Sequence, residues 1–320
     1  MNAFIKNKIP TTISPEAQKV LQKLIEDADP DLTYPGPEDF TKWEKLQFGA
    51  EIAKAAINEK CAKDFAVKVI EKETADVKYI EIHPKDYLQN EKVIIYLHGG
   101  GYAFYSAKTS LTGAVPLAEQ SGKKVIILDY PLAPQANFKV ILQSFSNLYL
   151  HLLQDGYDSK NIAIYGDSAG GGLTLGGLLK LKNEGYPMPS SVVLWSPWSD
   201  LSGIGDTYIS LADYDPKLHM NRLYPCALAY APIEEHQNPY VSPVYGEYDA
   251  SFPPTLIQVG TREIFMSDSI RLFQKMDEKG VKVILDAYEG MWHVWQKEFT
   301  MPEAKKAILK TSNFIEKHWK

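Results

Sequence analysis

The chain has 320 residues, of which 45% are hydrophobic and 23% charged, the balance of a globular protein with a sizeable core and not of a disordered one. Its formal net charge is −6 and it has no Lys/Arg block, which excludes the electrostatic footprint of a nucleic-acid or anionic-membrane binder. The two cysteines, Cys61 and Cys226, lack metal or redox spacing, so neither a disulfide framework nor a zinc knuckle is implied and a reducing, cytoplasmic setting is expected.

The opening MNAFIKNKIPTTISPEAQ turns polar before a signal-peptide core could form, and no later run approaches the ~18 apolar residues of a membrane span. From about Ser14 to Asn58 the pattern is helical: Ser14 before Pro15 and Glu16 reads as a cap and first turn, and Phe40, Trp43, Leu46 and Ala50 recur at helical spacing. Near Cys61 the pattern changes, and Ala66 to Ile70 and Val77 to Ile82 alternate like half-buried strands. The sheet is therefore expected to begin about residue 61.

Short apolar runs then read as central strands: Val93 to Leu97, Val125 to Leu128, Ile162 to Tyr165, Val192 to Trp195, Thr255 to Val259 and Val281 to Leu285. Between and after them Ala107 to Gln120, Asn137 to Gln154, Ala169 to Asn183, Ser267 to Lys279 and Pro302 to Lys317 carry helical periodicity. The alternation predicts an α/β fold with a mainly parallel central sheet and helices on both faces. Residues 201–239 break the rhythm, with one helical candidate from Lys217 to Tyr230, and read as an insertion.

Gly166-Asp167-Ser168-Ala169-Gly170 matches G-x-S-x-G between a strand and a helix, where a sharp turn lifts a serine hydroxyl above the sheet. Alone the pentapeptide is weak evidence, since a glycine-rich helix start has the same look. It gains weight from His98-Gly99-Gly100-Gly101-Tyr102, directly after another strand, where backbone amides are needed for a developing oxyanion. Neither nucleotide-binding glycine pattern fits that stretch. Two amides of Gly99, Gly100 and Gly101, with that of Ala169, are the expected oxyanion hole.

A serine hydroxyl needs an imidazole to take its proton and a carboxylate to orient the imidazole. Of the seven histidines only His293 lies in a loop between the last strand and the last helix. The acid belongs between Ser168 and His293 in chain order. Glu263 is close enough to the strand end to stay in the loop, whereas Asp268 enters the following helix, so Glu263 is preferred. Asp167 and Asp200 read as a loop anchor and a turn or cap residue. Tyr102 and Phe104 beside the glycine loop and Trp292 beside His293 suggest an apolar substrate pocket, although aromatics fill cores as readily. Phe40, Trp43 and Leu46 are candidates to roof it.

With these motifs on view, together with Ser196-Pro197-Trp198-Ser199-Asp200 and the Pro253-Pro254 pair leading to Gly260, the chain from about Lys92 onward resembles the hormone-sensitive-lipase-like family of α/β-hydrolase esterases. The resemblance implies the α/β-hydrolase fold, a helical cap made of an N-terminal segment (residues 1–60) and the insertion (201–239) upon a catalytic domain (61–320), and hydrolysis of short- to medium-chain carboxylic esters. Two departures are plain. The family's usual acid heads a D-P-L stretch, where this chain has Glu263-Ile264-Phe265, and its usual arginine in the segment Asp129 to Pro134 is replaced by Pro131. The chemistry calls for water and a small-molecule ester but for no metal and no organic cofactor. Nucleic acid and membrane are not expected partners, and a homo-oligomer is compatible with the sequence. A lipase, lactonase or amidase would use the same triad, and a non-catalytic binding protein would use the same scaffold.

Overall fold

A computed structural model describes residues 9–74 and 76–319. The first eight residues of the expected leader-free N-terminus and helical segment lie outside the described residues. Two helices come first, α1 (Pro15–Glu26) and α2 (Phe40–Asp64). The Ser14 hydroxyl accepts the Ala17 amide at 3.1 Å and caps α1 as its sequence implies. Helix α2 runs past Cys61, so the sheet starts later than expected. Cys61 is buried on the helix face that packs on the sheet, Phe65 closes the helix and Ala66 turns with φ 51°.

Strands β1 (Lys68–Glu73), β2 (Lys78–His83), β3 (Val93–Leu97), β4 (Lys124–Leu128), β5 (Ile162–Asp167), β6 (Ser191–Trp195), β7 (Thr255–Gly260) and β8 (Val283–Tyr288) form one sheet in the order β1-β2-β4-β3-β5-β6-β7-β8. The pairs involving β2 are antiparallel, and those from β4 to β8 are parallel. Strands β3 to β7 are buried throughout, as continuous apolar runs between two helical layers must be. The run at Val281 to Leu285 is an edge strand and not a central one, because β8 has only β7 as a neighbour and alternates partly buried with exposed residues.

The period of two along each strand feeds two cores. Ile95 and Leu97 join the core under α4 (Phe138–Gln154), α5 (Ala169–Asn183) and α8 (Met266–Glu278), whereas Ile94 and Tyr96 join that under α3 (Leu111–Ser121) and α9 (Pro302–His318). A third cluster packs Ile13, Ala17 and Leu21 of the α1 region against Met291, Trp292 and Trp295. Between β6 and β7 lie the one-turn helix α6 (Thr207–Ser210) and α7 (Met220–Tyr230). The latter starts later than its periodicity suggested, since the Lys217 and Leu218 amides instead donate to Asp215 Oδ1, each at 2.9 Å. The N-terminal segment meets this insertion where Asn221 Nδ2 donates to the Pro30 carbonyl at 2.5 Å. Among the described residues no helix is long and apolar enough to cross a membrane.

Candidate active site

Ser168 occupies the junction of β5 and α5 with φ 54° and ψ −124°, a strained conformation costing on the order of 1–3 kcal/mol that persists only when the surroundings impose it. Its amide donates to the Trp195 carbonyl at 2.9 Å, and its carbonyl accepts from Gly171 and Trp198 at 2.9 Å each. A Cβ on Gly166 would strike the Gly170 carbonyl, and one on Gly170 the Leu97 carbonyl. The two flanking glycines are thus required by close backbone approach.

His293 lies in the loop after β8, and its Nδ1 is 2.8 Å from Glu263 Oε2. Glu263 is fully buried; its other oxygen accepts from the Ser196 hydroxyl and the Gly260 amide, both at 2.7 Å. A carboxylate only accepts, so Nδ1 carries the hydrogen and Nε2 is left to exchange a proton. The ring edge of His293 meets Phe265 at 5.1 Å between centroids. The acid and histidine loops are laced together by Arg262 N donating to Met291 O at 3.0 Å and Gly290 N donating to Thr261 Oγ1 at 2.8 Å. Asp268 is elsewhere. It is buried beneath the Ser199-Asp200 turn and accepts those two amides at 3.0 and 2.9 Å, and burial, reinforced by Asp200, pushes its carboxyl well above the ordinary range. Asp200 is itself buried in an ion pair with Arg271 at 2.5 Å.

The glycine loop divides its labour. The Gly99 amide donates to Asp167 Oδ1 at 3.0 Å and is therefore spent, so Gly99 is removed from the expected oxyanion donors. Gly100 and Gly101 line the cavity that Ser168 and His293 also line. Gly101 has φ 62°, and a Cβ there would lie 3.1 Å from Cys226 Sγ. Ala169 opens α5, where the first amides have no acceptor within the helix. Asp167 also accepts from the Tyr96 hydroxyl and from Lys297 Nζ, the latter at 2.8 Å. Burial opposes its ionisation, but Lys297 and these hydrogen bonds outweigh burial and hold the carboxyl below its ordinary value.

The cavity measures about 350 Å³. Phe104 lines it, but Tyr102 and Trp292 do not. Tyr102 is fully buried and stacks on Tyr230 at 3.7 Å, and Trp292 belongs to the cluster behind the His293 loop. Both are corrected from pocket to core. Phe40, Trp43 and Leu46 do not line it either. Phe40 is 49% exposed, while Trp43 is buried with its ring 5.7 Å from that of Phe104. The N-terminal segment contributes Tyr34, Lys54 and Ile57 instead, and the insertion contributes Leu218, Arg222 and Leu223.

A family model for the alpha/beta hydrolase fold matches residues 94–297. An esterase of Acinetobacter venetianus is 34% identical over 225 residues, 70% of this chain and 74% of its own. A crystal structure of an esterase from the bacterial hormone-sensitive lipase family superposes with a TM-score of 0.80 at 29% identity, covering 96% of this chain and 99% of that one. The chain belongs to the hormone-sensitive-lipase-like family of α/β-hydrolase esterases. An acetyl-hydrolase of Streptomyces hygroscopicus is also similar, 30% identical over 71% of this chain and 76% of its own.

Two further residues of this esterase touch the site without having been singled out. Ser196, at φ 49°, donates to Glu263 and accepts the Val294 amide at 3.1 Å, so it ties the acid to the histidine loop. Only its place in the Ser196-Pro197-Trp198 segment hinted at this. Asp215, from the insertion, accepts the Ile264 amide at 2.9 Å. Burial raises its carboxyl to about 6 against the opposing pull of His293 and three backbone amides. Nothing in its local sequence signals that it reaches the acid loop. Among the described residues no group of three or more His, Cys, Asp or Glu could hold a metal ion.

Proposed function

We propose that this esterase hydrolyses carboxylic esters of short to medium acyl length through an acyl intermediate on Ser168, with His293 as general base and acid and Glu263 orienting it. The observation that carries the reading is the pairing of a carboxylate-held imidazole with a strained serine on the wall of one cavity. The Ser168 hydroxyl attacks the ester carbonyl as His293 Nε2 takes its proton. The amides of Gly100, Gly101 and Ala169 receive the negative oxygen, and each such donor is worth roughly 3 kcal/mol. Collapse expels the alcohol, which takes the proton from His293, and a water activated by the same nitrogen releases the acid.

A cavity of about 350 Å³ favours small esters, since pockets for small molecules begin near ~300 Å³. Residues 1–60 and 201–239 act as the cap over the catalytic domain, a role supported by the cavity-lining side chains from both segments. A cytoplasmic setting agrees with two buried free cysteines. Labelling with a serine-reactive phosphonate, followed by mapping of the modified peptide and an ester panel graded by acyl length, tests the reading. Modification at Ser168 and a peak at short or medium chains are expected; a labelled residue elsewhere would overturn it.

A further inference from the structure

The cavity wall carries more positive charge than an ester with two apolar arms requires. Lys54, Lys217, Arg222 and Lys297 line it against two carboxylates, Asp167 and Glu298, a formal excess of two positive charges in a chain whose net charge is −6. Two of these cations have partners. Lys297 is paired with Asp167 at 2.8 Å, and Arg222 Nη2 donates to the Lys217 carbonyl at 3.0 Å. The ammonium groups of Lys54 and Lys217 make no ion pair or side-chain hydrogen bond among the described residues, although the backbone of each is engaged, Lys54 O by Asn58 and Lys217 N by Asp215.

These lysines come from separate parts of the chain. Lys54 sits on α2, Lys217 in the insertion and Lys297 on the turn after His293. Burial depresses the Lys217 ammonium; Glu298 and Asp215 oppose that, and Lys54 and Lys297 add to it. Lys217, Arg222 and Lys297 are half-buried and Lys54 is exposed at the rim, so the cost of holding like charges together falls chiefly on Lys217, and a counter-charge placed there would relieve it. A carboxylate on the ligand would supply it, as the compact ammonium suits a small anion.

We infer that the preferred ester carries a carboxylate remote from the scissile bond, held by Lys217 and Lys54. The inference rests on the ester hydrolysis proposed above. The carboxylate is a spectator: ester and water still give acid and alcohol, and no further reactant enters. Lys217 and Lys54 bind and select; they do not touch the reacting atoms.

Two matched pairs of esters test it. 4-Acetoxybenzoate against its methyl ester places the charge on the alcohol arm, and the phenyl half-ester of adipic acid against phenyl hexanoate places it on the acyl arm. At low ionic strength one charged ester is expected to exceed its neutral partner about tenfold in kcat/KM, through KM. In a Lys54→Met/Lys217→Met double variant that ratio falls to about one, and in Lys54→Arg/Lys217→Arg it survives. Raising the salt shrinks it, because the wall is partly exposed. A ratio of one or below for both pairs in the native enzyme, or a ratio unchanged in the double Met variant, would overturn the inference while leaving ester hydrolysis intact. Absence of turnover on all four esters would remove the proposed function and this inference with it.

Discussion

The two sides of the cavity are built on different terms. On the sheet side, Ser168 and Glu263 follow the buried strands β5 and β7, His293 follows the edge strand β8, and backbone hydrogen bonds tie each loop to the next: Ser168 N to Trp195 O at 2.9 Å, Ser196 N to Gln258 O at 2.8 Å, Thr261 N to Tyr288 O at 3.0 Å. On the helical side, α2 leaves Phe48 69% and Ile52 61% exposed, and the contact of the N-terminal segment with the insertion includes a long bond from Tyr34 N to Asn221 O at 3.4 Å. Groups that must meet a transition state within a fraction of an ångström belong on the rigid side. Groups that select a substrate tolerate the looser one, and substitutions should separate the two accordingly.

The largest effect is expected from Ser168→Ala, which removes the proposed nucleophile and should lower kcat by at least about 10⁴-fold. Its thermal midpoint should stay near or above that of the native enzyme, because alanine meets the same backbone strain and removes only a buried hydroxyl. Residual turnover near the native rate would place the chemistry elsewhere and erase the distinction between the two sides. Glu263→Gln comes next. The amide no longer fixes the imidazole tautomer, and a loss in kcat of about 10³-fold is expected. Asp268→Asn is its control, since Asp268 holds the Ser199-Asp200 turn and not His293; it should leave kcat near the native value. The reverse ranking of Glu263→Gln and Asp268→Asn in kcat would reassign the acid.

The third effect is one of stability. Lys297→Met leaves Asp167 buried without its counter-ion, a loss of about 3 kcal/mol by denaturant unfolding. The sign with pH follows from the lowered carboxyl of Asp167. A folded-state pKa below the unfolded one contributes stability above the unfolded pKa, and that contribution is lost as pH falls through the folded pKa. The deficit of Lys297→Met should therefore be greatest at neutral pH and shrink in acid as Asp167 protonates. A deficit independent of pH would mean that packing of the lysine stem, and not its charge, is what the fold uses.

How far the sequence foretold this molecule differs between the same two sides. The central strands were legible because a parallel strand covered on both faces reads as an unbroken apolar run, and the placing of Ser168 and His293 on one cavity because strand-turn-helix context narrows the choice. The edge position of β8 was not legible, since a short, mostly apolar run does not state how many neighbours it has. The cavity wall was the least legible. Tyr102 and Trp292 stand next to candidate site residues in sequence, yet both side chains are buried in the core. Tyr34, Ile57 and Arg222 reach the cavity through tertiary packing between segments more than 150 residues apart, a relation no local periodicity encodes.

The smallest effect tests a residue that joins the two sides. Asp215 belongs to the insertion, yet accepts the amide of Ile264, next to Glu263, while its other oxygen holds the Lys217 and Leu218 amides. Its carboxyl is raised to about 6 from 3.8, so here the sign reverses. The contribution to stability is present below the unfolded pKa and is lost as pH rises through about 6, a change on the order of 2–3 kcal/mol between pH 4 and pH 7. Asp215→Asn cannot ionise. It loses an acceptor at one amide but escapes the cost of a buried charge, so its stability relative to the native enzyme should improve as pH rises over that interval, measured by urea midpoints at the two ends. If the difference instead moves against the variant, the three amides and His293 favour the carboxylate more than burial opposes it. The insertion would then be pinned to the acid loop most firmly in its ionised form, and the helical side would be less loosely held than its exposed side chains imply.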